Sequence, residues 1–173
     1  MLARFKKAFF MLIELFMRLA INPFLRASLL RLCGANIGRN VRIYEIQLLN
    51  LDDGFKNLCV GNNVHIGMGC RIDLKGGVNI GHGSTISPGV TILTHADPGE
   101  YQRSPICNLY SPFVSGVMIG EHCWVGANTT ILAGSKIGDK VVIGACSLVK
   151  GELESSCLYY GVPASKMKEL VVD

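Results

Sequence analysis

The chain has 173 residues, within the usual span of one folded unit, and 49% of them are apolar against 17% charged. That leaves ample surface to bury and excludes disorder. Twenty glycines follow neither a collagen period nor a low-complexity run, and seven cysteines include no C-x-x-C pair, which argues against a disulfide framework or a zinc ribbon and fits a reducing cytoplasm.

The net charge of +4 conceals a split: residues 1–42 carry eight Lys/Arg against Glu14 alone, +7, and the remainder carries nine basic against twelve acidic groups, −3. Residues 1–32 predict helix, rich in Leu, Phe, Met, Ala and Arg, with Asn22-Pro23 kinking or splitting it. The apolar run from Ala8 to Ile21 is interrupted by Glu14 and Arg18 and falls short of the ~20 apolar residues that span a bilayer. Lys6-Lys7 ahead of Phe9-Phe10-Met11-Leu12-Ile13 suggests a signal peptide, but Glu14 and the lack of a small-x-small cleavage site count against one. Two readings stay open: a helix packed on the body or on a neighbouring subunit, and a helix lying on an anionic membrane surface, Phe and Leu in and Lys/Arg out.

The body is periodic. From Ile119 the chain falls into blocks of six, led by Ile119, Val125, Ile131, Ile137, Ile143 and Val149; the same period leads with Val60, Ile66, Ile72 and, after two extra residues, Ile80, Ile86 and Ile92. The fifth position of each block is small or compact, as at Val64, Cys70, Gly76, Ser84, Val90, Ala96, Cys123, Thr129, Ser135, Val141 and Ser147, with Leu153 alone large. A branched apolar residue and a small inward residue every six positions describe a short strand, a tight corner and another strand, so three blocks close an eighteen-residue triangular coil. Coils then stack at the strand spacing of ~4.8 Å. Gly in seven of the twelve second positions is expected to supply corner freedom.

Ile92 and Ile119 are 27 positions apart, not a multiple of six, so an insertion over about 94–116 interrupts the coil. An irregular stretch of that length inside a compact fold signals function. His95 stands at its base, and an imidazole titrates near neutrality, which suits a general base.

These hexads are those of the left-handed parallel β-helix, and the chain resembles the hexapeptide-repeat acyltransferases over about Ile37 to Leu170. The parallel solenoid follows from spacing; the left hand is what the resemblance implies. Thr94-His95-x-Asp97-Pro98 with Arg103 following, then Ile119-Gly120-x-x-Cys123-Trp124-Val125-Gly126, is similar to the galactoside and maltose O-acetyltransferase branch. The expected class is an all-β solenoid with an N-terminal helical segment (residues 1–36), the β-helix (37–158) and a closing segment (159–173). The resemblance implies His95 as catalytic base and acetyl-CoA as donor. It implies a cofactor groove between subunits at Trp124, Gly126, Ala127, Ala145 and Lys150, and a homotrimer. Gly161-Val162-Pro163-Ala164 looks like the family's terminal G-x-P-A motif; Ser165 stands where a basic residue usually holds the 3′-phosphate, leaving Lys166 or Lys168 for that contact. Arg71 replaces the acceptor-binding Asn of galactoside-type members, so Arg71, Asp73, Asp97 and Arg103 are the expected acceptor contacts, with a surface salt bridge as the alternative for the first two.

The resulting expectation is an acetyl-CoA-dependent O-acetyltransferase acting on a sugar hydroxyl of a surface polysaccharide or its precursor, cytoplasmic, with residues 1–32 as a candidate contact to the inner face of the membrane. The alternatives are a serine or amino-sugar acceptor, or a non-catalytic scaffold. No metal is expected, because His65, His82, His95 and His122 are separated by 17, 13 and 27 residues, whereas zinc wants three protein ligands. Cys107 in the insertion lacks the setting of a nucleophile, and no basic, aromatic-bearing face for nucleic acid is evident.

Overall fold

A computed structural model describes residues 2–171; Met1 and residues 172–173 of the two terminal segments lie outside it. Two helices open the chain, α1 (Leu2–Arg18) and α2 (Pro23–Leu32), split where the proline stands. Asn22 caps α2, its Oδ1 accepting from the N–H groups of Phe24 (2.9 Å) and Leu25 (3.2 Å). This satisfies donors that the first turn leaves free.

Six coils follow. The first holds β1 (Asn36–Ile37), β2 (Arg42–Ile43) and β3 (Gln47–Leu49); the second β4 (Leu58–Val60), β5 (His65–Ile66) and β6 (Arg71–Asp73); the third β7 (Val78–Ile80), β8 (Thr85–Ile86) and β9 (Thr91–Ile92). The insertion contributes β10 (His95–Ala96) and β11 (Phe113–Val114). The fourth coil holds β12 (Val117–Ile119), β13 (Trp124–Val125) and β14 (Thr130–Ile131); the fifth β15 (Lys136–Ile137), β16 (Val142–Ile143) and β17 (Leu148–Val149). The last holds β18 (Glu152–Leu153), β19 (Cys157–Gly161) and β20 (Ala164–Glu169), the final two forming an antiparallel hairpin.

Every third strand stacks in parallel, giving three sheets that form the faces of a prism: β1-β4-β7-β12-β15-β18, β2-β5-β8-β13-β16-β19-β20 and β3-β6-β9-β14-β17. The architecture is a parallel β-solenoid consistent with the left-handed β-helix. Register aligns the leading residues into columns, such as Ile43, Ile66, Ile86, Val125, Ile143 and Tyr159, all buried. Each such Ile or Val contributes roughly 1.5–3 kcal/mol, which is how strands of two or three residues persist.

Three details depart from the simple pattern. Leu153 is large because it pairs with Ile137 and joins a column rather than filling a fifth position. Ala96 is exposed, since it belongs to the insertion. The second-position glycines do not serve a left-handed backbone: Gly81 and Gly126 have ordinary φ, and a Cβ there would meet the next coil, at Gly120 C (2.4 Å) and Ala145 N (2.5 Å). They are glycine because stacked corners touch.

The helical segment packs on the body through charged side chains. Glu14, only 6% exposed, accepts from the N–H of Leu48 (3.1 Å) and from Arg18 Nε (2.9 Å) and Nη2 (3.0 Å), so a carboxylate covers the open edge at β3. Arg26, equally buried, donates to the carbonyls of Met17 (3.0 Å), Ile43 (2.9 Å), Arg18 (3.3 Å) and Ala20. Among the described residues no helix is long and apolar enough to cross a membrane.

Because the columns are continuous, truncating one member opens a cavity with no room to collapse. Ile86→Ala should destabilise the protein by ~2–5 kcal/mol, read as a lowered midpoint in urea unfolding.

Candidate active site

The edge where the third sheet turns into the first gathers polar groups from three successive coils. Asn50 follows β3, Asp73 ends β6, and Thr94-His95 follow β9. Stacking of those strands places the three segments above one another.

Asp73 is 1% exposed, and its carboxylate is fully engaged. Oδ2 accepts from the N–H of Thr94 (2.9 Å) and its hydroxyl (2.8 Å), and lies 2.6 Å from His95 Nδ1. Oδ1 accepts from Asn50 Nδ2 (2.8 Å) and from the N–H of Lys75 (3.1 Å). Burial alone pushes this carboxyl up; the hydrogen bonds from His95, Asn50, Thr94 and Lys75 outweigh it and bring the pKa down to about 2. An ionised carboxylate accepts only, so His95 Nδ1 is the protonated nitrogen and Nε2 carries the lone pair. The imidazole is partly open to solvent, its side chain 29% exposed.

Asp73 therefore does not stand where an acceptor contact was expected; its oxygens are spent on protein donors and it backs His95 instead. Asn50 and Thr94 complete this arrangement, and neither was singled out from the sequence. Arg71 is exposed on the outer surface of β6, between Gln47 and Thr91.

The insertion carries a β10–β11 antiparallel pair (His95 opposite Val114) and a 3₁₀ turn over Pro105–Asn108, so it is an ordered arm rather than an irregular loop. Asp97 is exposed on it, its Oδ1 accepting from the N–H groups of Gly99 and Glu100 (both 2.8 Å), which holds the carboxyl below its ordinary range. Arg103, also exposed, sits at a left-handed φ of 54°.

The expected cofactor residues lie elsewhere. Trp124 projects from β13, 55% exposed, its Nε1–H donating to Ser87 Oγ (3.0 Å). Gly126, Ala127 and Ala145 form the corners between the second and third sheets; among the described residues the N–H groups of Ala127 and Ala145 have no acceptor. Lys150 follows β17 and so belongs to the His95 edge, in line with Leu93 and Leu132. Lys166 pairs with Glu154 (2.8 Å) and Glu169 (3.2 Å), which holds its pKa up, while Lys168 is exposed on the same hairpin. One chain thus brings together His95 and Asp73, with Arg71 at the other end of β6 and Lys150 on the same edge two ladder steps beyond β9. The Trp124 corner is a whole face away, roughly 15 Å for about five residues of strand.

The remaining titratable groups have other settings. His82 and His122 meet edge to face at 5.1 Å, because they stand one block position apart on stacked coils in which Ile80 pairs with Ile119. Among the described residues no three His, Cys, Asp or Glu side chains converge. Burial pushes the Cys70 thiol up to about 11, away from nucleophilic use.

Comparison with known proteins agrees with this architecture. Family models match over residues 116–151, "bacterial transferase hexapeptide (six repeats)", and over 58–94, "hexapeptide repeat of succinyl-transferase". The Escherichia coli K12 protein WbbJ, assigned to O-acetyl transfer in lipopolysaccharide biosynthesis, is 30% identical over 162 residues, covering 76% of this chain and 80% of that one. The galactoside O-acetyltransferase of the same strain is 27% identical over 145 residues, covering 84% and 68%. A hexapeptide-repeat acetyltransferase of Vibrio cholerae complexed with acetyl coenzyme A superposes with a TM-score of 0.82 at 20% identity, over 98% of this chain and 89% of that one. The triangular solenoid, the arm with its buried-carboxylate histidine and these relatives lead to one assignment: the chain belongs to the hexapeptide-repeat acetyltransferase family.

Proposed function

We propose that this protein transfers an acetyl group from acetyl-CoA to a sugar hydroxyl of a surface polysaccharide or its precursor, with His95 as general base, as a homotrimer on the cytoplasmic side of the membrane. The observation that carries the reading is the 2.6 Å contact between His95 Nδ1 and a buried, ionised Asp73 at the root of the arm.

An alcohol is a weak nucleophile at neutral pH and gains from losing its proton as it attacks. His95 Nε2 accepts that proton, and the Asp73 carboxylate stabilises the imidazolium that results. The proton then passes to the departing thiolate, so His95 ends the cycle neutral. Asp73 is a positioning residue, fixing the tautomer and the ring plane. Acetyl-CoA supplies the activated acetyl thioester.

The residues at the Trp124 corner suit that donor. An exposed indole offers a stacking face, Ala127 and Ala145 present small side chains and free N–H donors, and Lys168 on the closing hairpin offers a cation for phosphate; Lys150, on the His95 edge, can meet the donor only from across the junction with a neighbouring chain. Lys166, already held by two glutamates, is the weaker phosphate ligand. Arg71, Asp97 and Arg103 remain the acceptor contacts. Since the His95 edge and the Trp124 corner are a face apart within one chain, a partner's corner must approach the arm, and cyclic trimerisation supplies three such junctions. The WbbJ likeness supports a polysaccharide acceptor.

His95→Ala should lower turnover by ~10²–10⁴ with sedimentation mass unchanged; an unaltered rate rejects the base assignment. A panel of polysaccharide precursors, amino-sugars and serine with labelled acetyl-CoA identifies the acceptor, and labelling confined to the amines or serine rejects the sugar-hydroxyl reading.

Asp73→Asn should reduce kcat by about 10²-fold or more while leaving KM for acetyl-CoA in place, a split that a general loss of structure would not produce. The same variant tests the linkage. Asp73's folded pKa of about 2 lies below its ordinary 3.8, so its stabilisation is complete above that ordinary value and is lost as pH falls from about 4 towards 2. Urea midpoints of the parent should carry this acid slope, and those of Asp73→Asn should lack its share.

A further inference from the structure

We infer that the outward face of the N-terminal helices is a docking surface for an anionic lipid bilayer. Helix α1 is apolar on two sides. Its inner side packs Phe10, Ile13 and Met17 against the body, flanked by Glu14, Arg18 and Lys7, which engage respectively Leu48 N–H, Glu14 and Asp52. Its outer side carries Phe5 (70% exposed), Phe9, Leu12, Leu15, Phe16 and Leu19 (73% exposed). At 100° per residue these fall on one arc, and no charged residue from Phe5 onward lies within it. Beyond the helix the surface continues through Ile21, 95% exposed, to Phe24 and Leu25 of α2.

Charge selects the occupant. Residues 1–42 carry +7, and their single acid, Glu14, is buried. Lys6 is exposed beside Phe5 and Phe9, and Arg31 and Arg39 line a depression together with Phe24. Two copies of this surface face to face would oppose like charges, whereas an anionic bilayer takes the apolar arc into its interfacial zone and the flanking cations onto its headgroups. A 17-residue helix is about 25 Å long and lies along the surface rather than crossing it.

The position of this face gives docking a consequence that rests on the acetyltransferase reading, although docking itself does not. Ala8, Met11, Leu12 and Leu15 form one wall of a groove of about 800 Å³ whose opposite wall is Gln47–Leu51. Asn50, in that wall, donates to Asp73. From β3 to β9, the strand before His95, is two ladder steps, about 10 Å. A saccharide carried on a membrane lipid would reach His95 without leaving the surface.

The test is flotation of the full-length protein with vesicles of phosphatidylglycerol and phosphatidylethanolamine, against vesicles of phosphatidylcholine, at low and high salt. The expected result is co-flotation with the anionic vesicles alone, reduced by salt. The double variant Leu12→Glu/Phe16→Glu, both sites exposed, should lose at least tenfold in vesicle binding while keeping its circular dichroism and sedimentation mass. Protein that stays behind with both vesicle types, or that binds both equally, overturns the proposal. So does a double variant that changes oligomeric mass, which would make the arc an interface between copies. Since the readout is binding, failure of the acetyltransferase reading would show separately, as absent turnover on soluble acceptors.

Discussion

Strands of two and three residues cannot hold their own conformation, and everything in this molecule depends on their being stacked in register. The stacking is enforced twice. Branched side chains fill the axis column by column, and backbone hydrogen bonds run from each coil to the next. Once the register is fixed, so is the vertical order of each corner, and the corners are where chemistry resides. The buried Asp73 illustrates the dependence. An ionised carboxylate inside a protein needs several donors, and its donors come from the coil below, its own coil and the coil above. A slip of one coil would strand it.

The rotation of the chain around the prism also dictates what one protomer can and cannot assemble. The His95 edge is built three times over, by Asn50, Asp73 and Thr94-His95, whereas the Trp124 corner lies across the third face. The arm projects beyond the flat faces of the prism, and it springs from the edge that carries the imidazole.

Much of this was legible in the sequence. The columns, the insertion and the position of His95 follow from a period of six and its interruption. What escaped was contact between coils whose spacing is irregular. Asn50, Asp73 and Thr94 are 23 and 21 residues apart, not multiples of six, so no periodic scan aligns them. Asp73 consequently looked like a surface residue beside Arg71. The second-position glycines were expected at corners, but for the wrong reason: their φ is ordinary, and what excludes a side chain is the backbone of the next coil.

The helical segment shows how a sequence pattern can be read correctly and still mislead. Glu14 and Arg18 interrupt an apolar run, and such interruptions ordinarily mark the solvent side of a helix. Here they mark the inner side, because β3 is an edge strand whose N–H at Leu48 has no coil beneath it. Glu14 supplies the acceptor that a further coil would have provided, and Arg18 neutralises it. Phe10, Ile13 and Met17 pack inward beside this cap, so the exposed apolar residues of α1 form a second apolar side that the body leaves uncovered. The two readings that the sequence left open, packing on the body and contact with a lipid surface, therefore concern opposite sides of one helix and do not compete.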